Sequence, residues 1–229
     1  MPVTIKPVTP AVGAEISGVN LAQLSDREFS QIEQAWNRYS ALLFRDQKLT
    51  DDDLLAFSRR FGELDPPPVQ EHGRQSPEGY PDIYVVSNVL DDKGAPIGAL
   101  GAGEAVWHTD MSYLQEPPDA SMLYSLEVPP SGGDTWVLGM QAAWSTLPDA
   151  LKAKVRGRRI KHDGTYNSGG YLRKGVTPTD DPHKARGATL PLICVRCITR
   201  RVALSNGSRR CMVDRLSHSS RSPTRQRCW

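Results

Sequence analysis

Trp107-His-Thr-Asp-Met-Ser-Tyr113 is the stretch whose reading decides the rest of the chain. In an extended backbone residues i and i+2 point to the same side. His108 and Asp110 are so spaced, and one imidazole nitrogen and one carboxylate oxygen can then reach a single cation. On the tripeptide alone the plainer reading is a surface loop in which Asp110 caps a turn and His108 is solvated. Short motifs match by chance often enough to require support from their surroundings.

Those surroundings are a mixture of short helices and strands. Val3 to Leu21 is expected to form two short strands around glycine turns. Ser25-Asp-Arg-Glu28 has the form of a capping box, in which Ser25 and Glu28 satisfy each other's backbone amides. The helix it opens places Phe29, Ile32, Trp36 and Tyr39 on one face. Ala41-Leu-Leu-Phe44 reads as a buried strand. Thr50-Asp-Asp-Asp53 repeats the capping pattern and opens a helix presenting Leu54, Phe57 and Phe61, ended by Gly62. Further strands are expected over 82–89, 121–128, 134–138 and 158–162. Helical sequence over 141–154 is interrupted at Pro148. This order of elements argues α+β.

Composition agrees. The chain has 229 residues, enough for one sizeable domain, and its 38% hydrophobic content with 18 prolines suits a loop-rich protein. No apolar run approaches the ~20 residues that span a bilayer, and no signal-peptide pattern opens the chain. A cytoplasmic protein without a membrane partner is expected.

Charge and cysteine are distributed unevenly. Residues 191–229 hold nine arginines, no lysine and one acid, Asp214, together with all four cysteines, Cys194, Cys197, Cys211 and Cys228. The sequence therefore divides into an acidic part, 1–190, and a basic Cys/Arg-rich tail, 191–229, read as non-native or disordered. A zinc site on Cys194, Cys197, Cys211 and His218 is the alternative for the tail, but its second pair has unusual spacing. Nine arginines suit phosphate contacts. Without interleaved aromatic residues, however, they give no specific nucleic-acid module.

The segments around His108 and Asp110 resemble the taurine dioxygenase family of Fe(II)- and α-ketoglutarate-dependent enzymes in order and spacing. They are Trp107 to Tyr113, Glu116-Pro-Pro118 and Pro129-Pro-Ser-Gly-Gly-Asp-Thr135. Gly13-Ala-Glu-Ile-Ser-Gly18, Leu43-Phe-Arg-Asp-Gln47 and Phe57 to Glu63 extend the resemblance toward the start. It covers roughly residues 10 to 175.

The resemblance implies a double-stranded β-helix (jelly-roll) core with flanking N-terminal helices, the C-terminal part of the barrel being absent here. It implies His108 and Asp110 as two of the three ligands of a facial triad. That ligand set leaves positions for a bidentate α-keto acid and dioxygen. Thr135 would contact the α-ketoglutarate carboxylate. Asn88, at the end of a strand, is a candidate for facing the substrate, although such an asparagine more often caps the strand end. The reaction implied is oxidative decarboxylation of α-ketoglutarate coupled to hydroxylation of a small, anionic organic substrate, in a family that is commonly oligomeric.

The pattern fails late in the chain. The family's distal histidine and its carboxylate-pairing arginine lie farther along than the 119 residues that follow Asp110 here. His162 and His183 fall in mid-chain segments, and His218 with Arg221 or Arg225 is the sole substitute. The tail is accordingly read as out-of-frame translation from near Leu190, and the chain as lacking a complete site. The alternative function is a non-catalytic relative that binds partners through its basic tail.

Overall fold

The computed structural model describes residues 2–65, 76–95, 97–100, 107–128, 130–131, 134–167, 172–191, 200–205 and 225–228. The chain opens with β1 (Thr4–Pro7) and β2 (Ala14–Ser17), an antiparallel pair in which Thr4 faces Ser17 and Pro7 faces Ala14. Thr9 holds the turn between them: its hydroxyl accepts from the Val12 amide at 2.9 Å.

Helix α1 (Asp26–Tyr39) crosses from β2 to β3 (Ala41–Arg45), which lies parallel to β2. The capping box is formed. Ser25 Oγ accepts from the Glu28 amide at 3.3 Å, and Glu28 Oε2 accepts from the Ser25 amide at 2.9 Å. The helix ends where Ser40 turns left-handed at φ 62°, its amide still reaching the Trp36 carbonyl. Helix α2 (Asp51–Arg59) starts on the reciprocal pair Thr50 and Asp53. Each such cap contributes about 1 kcal/mol by satisfying amides that no helical carbonyl can reach.

Both helices lay their apolar faces on the sheet. Ile16, Ile32, Leu42, Phe44, Leu54 and Phe57 are essentially sealed from solvent. Phe57 makes edge-to-face contacts with Phe29, Phe44 and Phe61, and Trp36 packs on Phe61 with ring centroids 5.3 Å apart. These geometries set the positive ring edge against the negative ring face.

The remaining strands of the main sheet are β4 (Tyr84–Ser87), β5 (Ala99–Leu100), β6 (Ala120–Ser125), β9 (Arg200–Ser205) and β10 (Arg225–Cys228). The order is β1-β2-β3-β9-β6-β10-β4-β5, an eight-stranded mixed sheet among the described residues. β7 (Arg159–Lys161) and β8 (Thr189–Pro191) form a separate antiparallel pair, Lys161 opposite Thr189. With helices α3 (Met140–Thr146) and α4 (Asp149–Val155), the content is α+β, as expected.

One expectation changes. Residues 134–138 join no ladder; they run as an extended link into α3, with Trp136 and Leu138 exposed, so they lack both pairing and a buried face. His108 and Asp110 lie at a turn outside the strands of the sheet. The sheet also takes β9 and β10 from the stretch read as a separate tail, with β9 between β3 and β6. Cys194, Cys197, Cys211, His218 and Arg221 lie outside the described residues.

The core fixes β6, and β6 carries part of the site. Met122 and Tyr124 point into the apolar cluster. The Tyr124 hydroxyl accepts from the Leu49 amide at 3.1 Å and donates to the Gln47 carbonyl at 3.2 Å. Gln47, buried, also accepts from the Leu21 amide and donates to the Val19 and Arg45 carbonyls. Such satisfied buried polar groups pin one strand register.

Candidate metal centre

His108 and Asp110 meet at the surface. His108 Nε2 stands 2.9 Å from Asp110 Oδ1, with the two side chains about one-third exposed. The i, i+2 spacing therefore converges although the segment is not part of a ladder. After Asp110 the backbone turns sharply: Met111 is left-handed at φ 50°, and the Leu114 amide donates to the Met111 carbonyl at 2.9 Å. A non-glycine residue in that region costs on the order of 1 kcal/mol, which the surrounding contacts must offset.

Two contacts anchor this loop. Ser121 Oγ, at the start of β6, donates to Asp110 Oδ2 at 2.9 Å. The Ala188 amide, next to β8, donates to the Tyr113 carbonyl at 2.8 Å. Arg173 lies over the Tyr113 ring, 4.4 Å from its centroid. Neither Ser121 nor the Tyr113 anchor was legible in the sequence. Ser121 is 11 residues from Asp110, and only the turn through Glu116-Pro-Pro118 brings the two together.

A cleft of about 260 Å³ opens beside the pair, lined by Asp110 and Ser121 and walled by Phe61, Leu64 and Pro117. Its described lining also carries Glu63, Asp65, Glu116 and Asp119, and no lysine or arginine.

The donor geometry fits a divalent cation. Two ligand atoms at neighbouring corners of an octahedron, each roughly 2.1 Å from the ion, are about 3.0 Å apart. His108 Nε2 and Asp110 Oδ1 already have that separation. A contact between side chains this exposed contributes only ~0–1 kcal/mol, so little opposes a cation taking its place. Among the described residues no third histidine, cysteine, aspartate or glutamate completes a cluster. His162 and His183 belong to the mid-chain region: the His162 amide donates to the Ala188 carbonyl and the His183 amide to Asp181.

Thr135 is half-buried in the extended link before α3, and no described hydrogen bond joins it to the pair. Asn88 follows β4 directly and is half-buried. The described contacts thus bring together His108, Asp110 and Ser121.

Comparison with known proteins gives the family. The model of the taurine catabolism dioxygenase TauD, TfdA family matches residues 4–223. An α-ketoglutarate-dependent 2,4-dichlorophenoxyacetate dioxygenase from Cupriavidus pinatubonensis is 35% identical over 168 residues, 71% of this chain and 58% of that protein. A taurine dioxygenase structure from Burkholderia xenovorans superposes with TM-score 0.57 at 32% identity, covering 73% of this chain and 55% of the other. The structure of AAD-2 in complex with Mn(II) and N-oxalylglycine superposes with TM-score 0.62 at 26% identity, covering 84% and 66%. The chain spans about half the length of the first curated relatives it matches. With the family match running almost from end to end over the fold that carries His108 and Asp110, the chain belongs to the TauD, TfdA family of dioxygenases.

Proposed function

We propose that the chain belongs to an Fe(II)- and α-ketoglutarate-dependent dioxygenase that hydroxylates a small organic substrate. The single observation that carries this reading is the 2.9 Å approach of His108 Nε2 to Asp110 Oδ1, the separation that two neighbouring ligands of an octahedral ion would have. His108 and Asp110 would hold the ferrous ion. When bound, the ion supplies the activation of dioxygen and the decarboxylation of the co-substrate.

The protein's part is to bind, orient and exclude water. The cleft beside Asp110 sets the apolar walls Phe61, Leu64 and Pro117 among the carboxylates Glu63, Asp65, Glu116 and Asp119. Thr135 is the proposed contact for the α-ketoglutarate carboxylate and Asn88 for the substrate. The relatives' names give phenoxyacetates and sulfonates as substrates, which supports an anion for this chain as well. The cationic group that such an anion needs is not among the described cleft residues. The proposal leaves the distal ligand and the co-substrate arginine unassigned, His218 with Arg221 or Arg225 being the sole substitute in the sequence. Of these, Arg225 begins β10 opposite Ser87.

A boundary near residue 190 goes with this reading, and residues 191–229 supply β9 and β10 to the sheet. No helix among the described residues is long and apolar enough to cross a membrane.

The test is an anaerobic titration of the purified chain with ferrous iron and α-ketoglutarate, followed by the visible charge-transfer band of the chelated ion. The band is expected in the wild type and absent in His108→Ala. Folded wild-type protein without the band would sink the proposal for this chain.

A further inference from the structure

The loop that carries Asp110 has no ladder partner, so something other than the sheet must fix the direction of its carboxylate. One described contact that does so is the Ser121 hydroxyl, 2.9 Å from Asp110 Oδ2. Ser121 is itself held firmly. It is the second residue of β6, paired with Arg201 of β9, and its neighbour Met122 is buried against the core, where the Ser58 hydroxyl meets the Met122 sulfur at 3.2 Å. The two carboxylate oxygens consequently have separate tasks: Oδ2 faces Ser121, and Oδ1 faces His108 Nε2.

We propose that Ser121 is a positioning residue for the metal-binding carboxylate. Its hydroxyl holds Asp110 Oδ2, so that Asp110 meets a divalent cation through Oδ1 alone. The inference rests on the metal-binding role of His108 and Asp110 argued above.

The physical reason lies in the two ways a carboxylate can bind. A freely rotating carboxylate can turn both oxygens toward an ion and occupy two coordination positions. A donor fixed on one oxygen opposes that rotation, because a hydrogen bond to a charged acceptor is about twice as strong as a neutral one. Coordination through one oxygen leaves an additional position for a chelating co-substrate. Hydrogen-bond partners of metal ligands commonly change metal affinity by about 10–100-fold when removed.

The experiment compares Mn(II) affinity, read from the spin-resonance signal of free Mn(II), in the full chain and in Ser121→Ala, Ser121→Thr and His108→Ala. Ser121→Ala is expected to weaken Mn(II) binding by about 10–100-fold. Ser121→Thr, which keeps a hydroxyl on a strand that tolerates β-branching, is expected to stay within a few-fold of wild type. Affinity unchanged in Ser121→Ala, or Ser121→Thr as weak as Ser121→Ala, overturns the positioning role while leaving the metal site standing. Equal Mn(II) binding by wild type and His108→Ala overturns the metal site itself, and the positioning role with it. Circular dichroism checks the fold of each variant. If Ser121→Ala does not fold, Ser121→Cys replaces it with the same expected loss, since a thiol is a weak donor of similar size.

Discussion

The backbone amide of Ala188 donates to the carbonyl of Tyr113 at 2.8 Å, joining the loop after Asp110 to the end of the antiparallel β7–β8 pair. Residues 75 positions apart in sequence are thereby made neighbours of one site. Gly164 lies against the same tyrosine: a Cβ there would sit 3.0 Å from Tyr113 Cβ and Cγ. Both of those atoms are close to the backbone and have little freedom to move aside.

Gly164→Ala is therefore expected to shift Tyr113 and to destabilise the protein by about 1–3 kcal/mol, the usual range for overpacking. Urea unfolding measures it. A change below about 0.5 kcal/mol would mean that Tyr113 moves without resistance.

His162 gives a pH dependence. Burial pushes its imidazole below the ordinary value of 6.5. The unfolded chain therefore binds the proton more readily than the folded one, so stability rises with pH. The contribution is complete above the unfolded value and disappears as pH falls through the depressed folded value. Thermal unfolding followed between about pH 7 and pH 5 should show the midpoint falling in wild type. His162→Gln should flatten that part of the profile. An unchanged slope in the variant would assign the fall to other groups.

Phe57 is almost completely buried where α2 meets α1 and β3, in contact with three other rings. Phe57→Ala should cost about 3–5 kcal/mol by lost transfer energy and the cavity left behind. Phe57→Leu should cost clearly less. A denaturant midpoint that moves equally in both would show that ring-specific contacts, not volume, dominate.

Arg60 caps this layer. Its guanidinium lies over the Phe29 ring, 4.3 Å from the centroid, donates to the Leu24 carbonyl at 3.2 Å and pairs with Asp26 at 2.6 Å. Asp26 is fully solvent-exposed, so its ion pair is screened and contributes little. Most of the effect of Arg60→Ala, about 1 kcal/mol, is expected from the ring contact and the carbonyl. Added salt should then scarcely change the wild-type-to-variant difference. A difference that vanishes in high salt would make the Asp26 pair the dominant contact.

The sequence by itself determined the local elements and the chemical identity of the pair. Ser25 with Glu28, and Thr50 with Asp53, set the helix starts because capping acts over three residues. Ile32 and Trp36, one turn apart, set the buried face of α1 for the same local reason. His108 and Asp110 were legible as a candidate pair because residues two apart in an extended backbone point to the same side. The extended run 134–138 was misjudged, since whether an apolar run joins a sheet depends on a partner strand that lies elsewhere.

Only the tertiary structure decided what surrounds the pair. The placement of β9 between β3 and β6, the hold of Ser121 on Asp110, and the tie from Tyr113 to Ala188 all join residues with no periodic or local relation. Their proximity follows from sheet pairing and from closing loops around a shared core. Short-range pattern cannot encode those terms, because their free energy arises only when distant segments pack together.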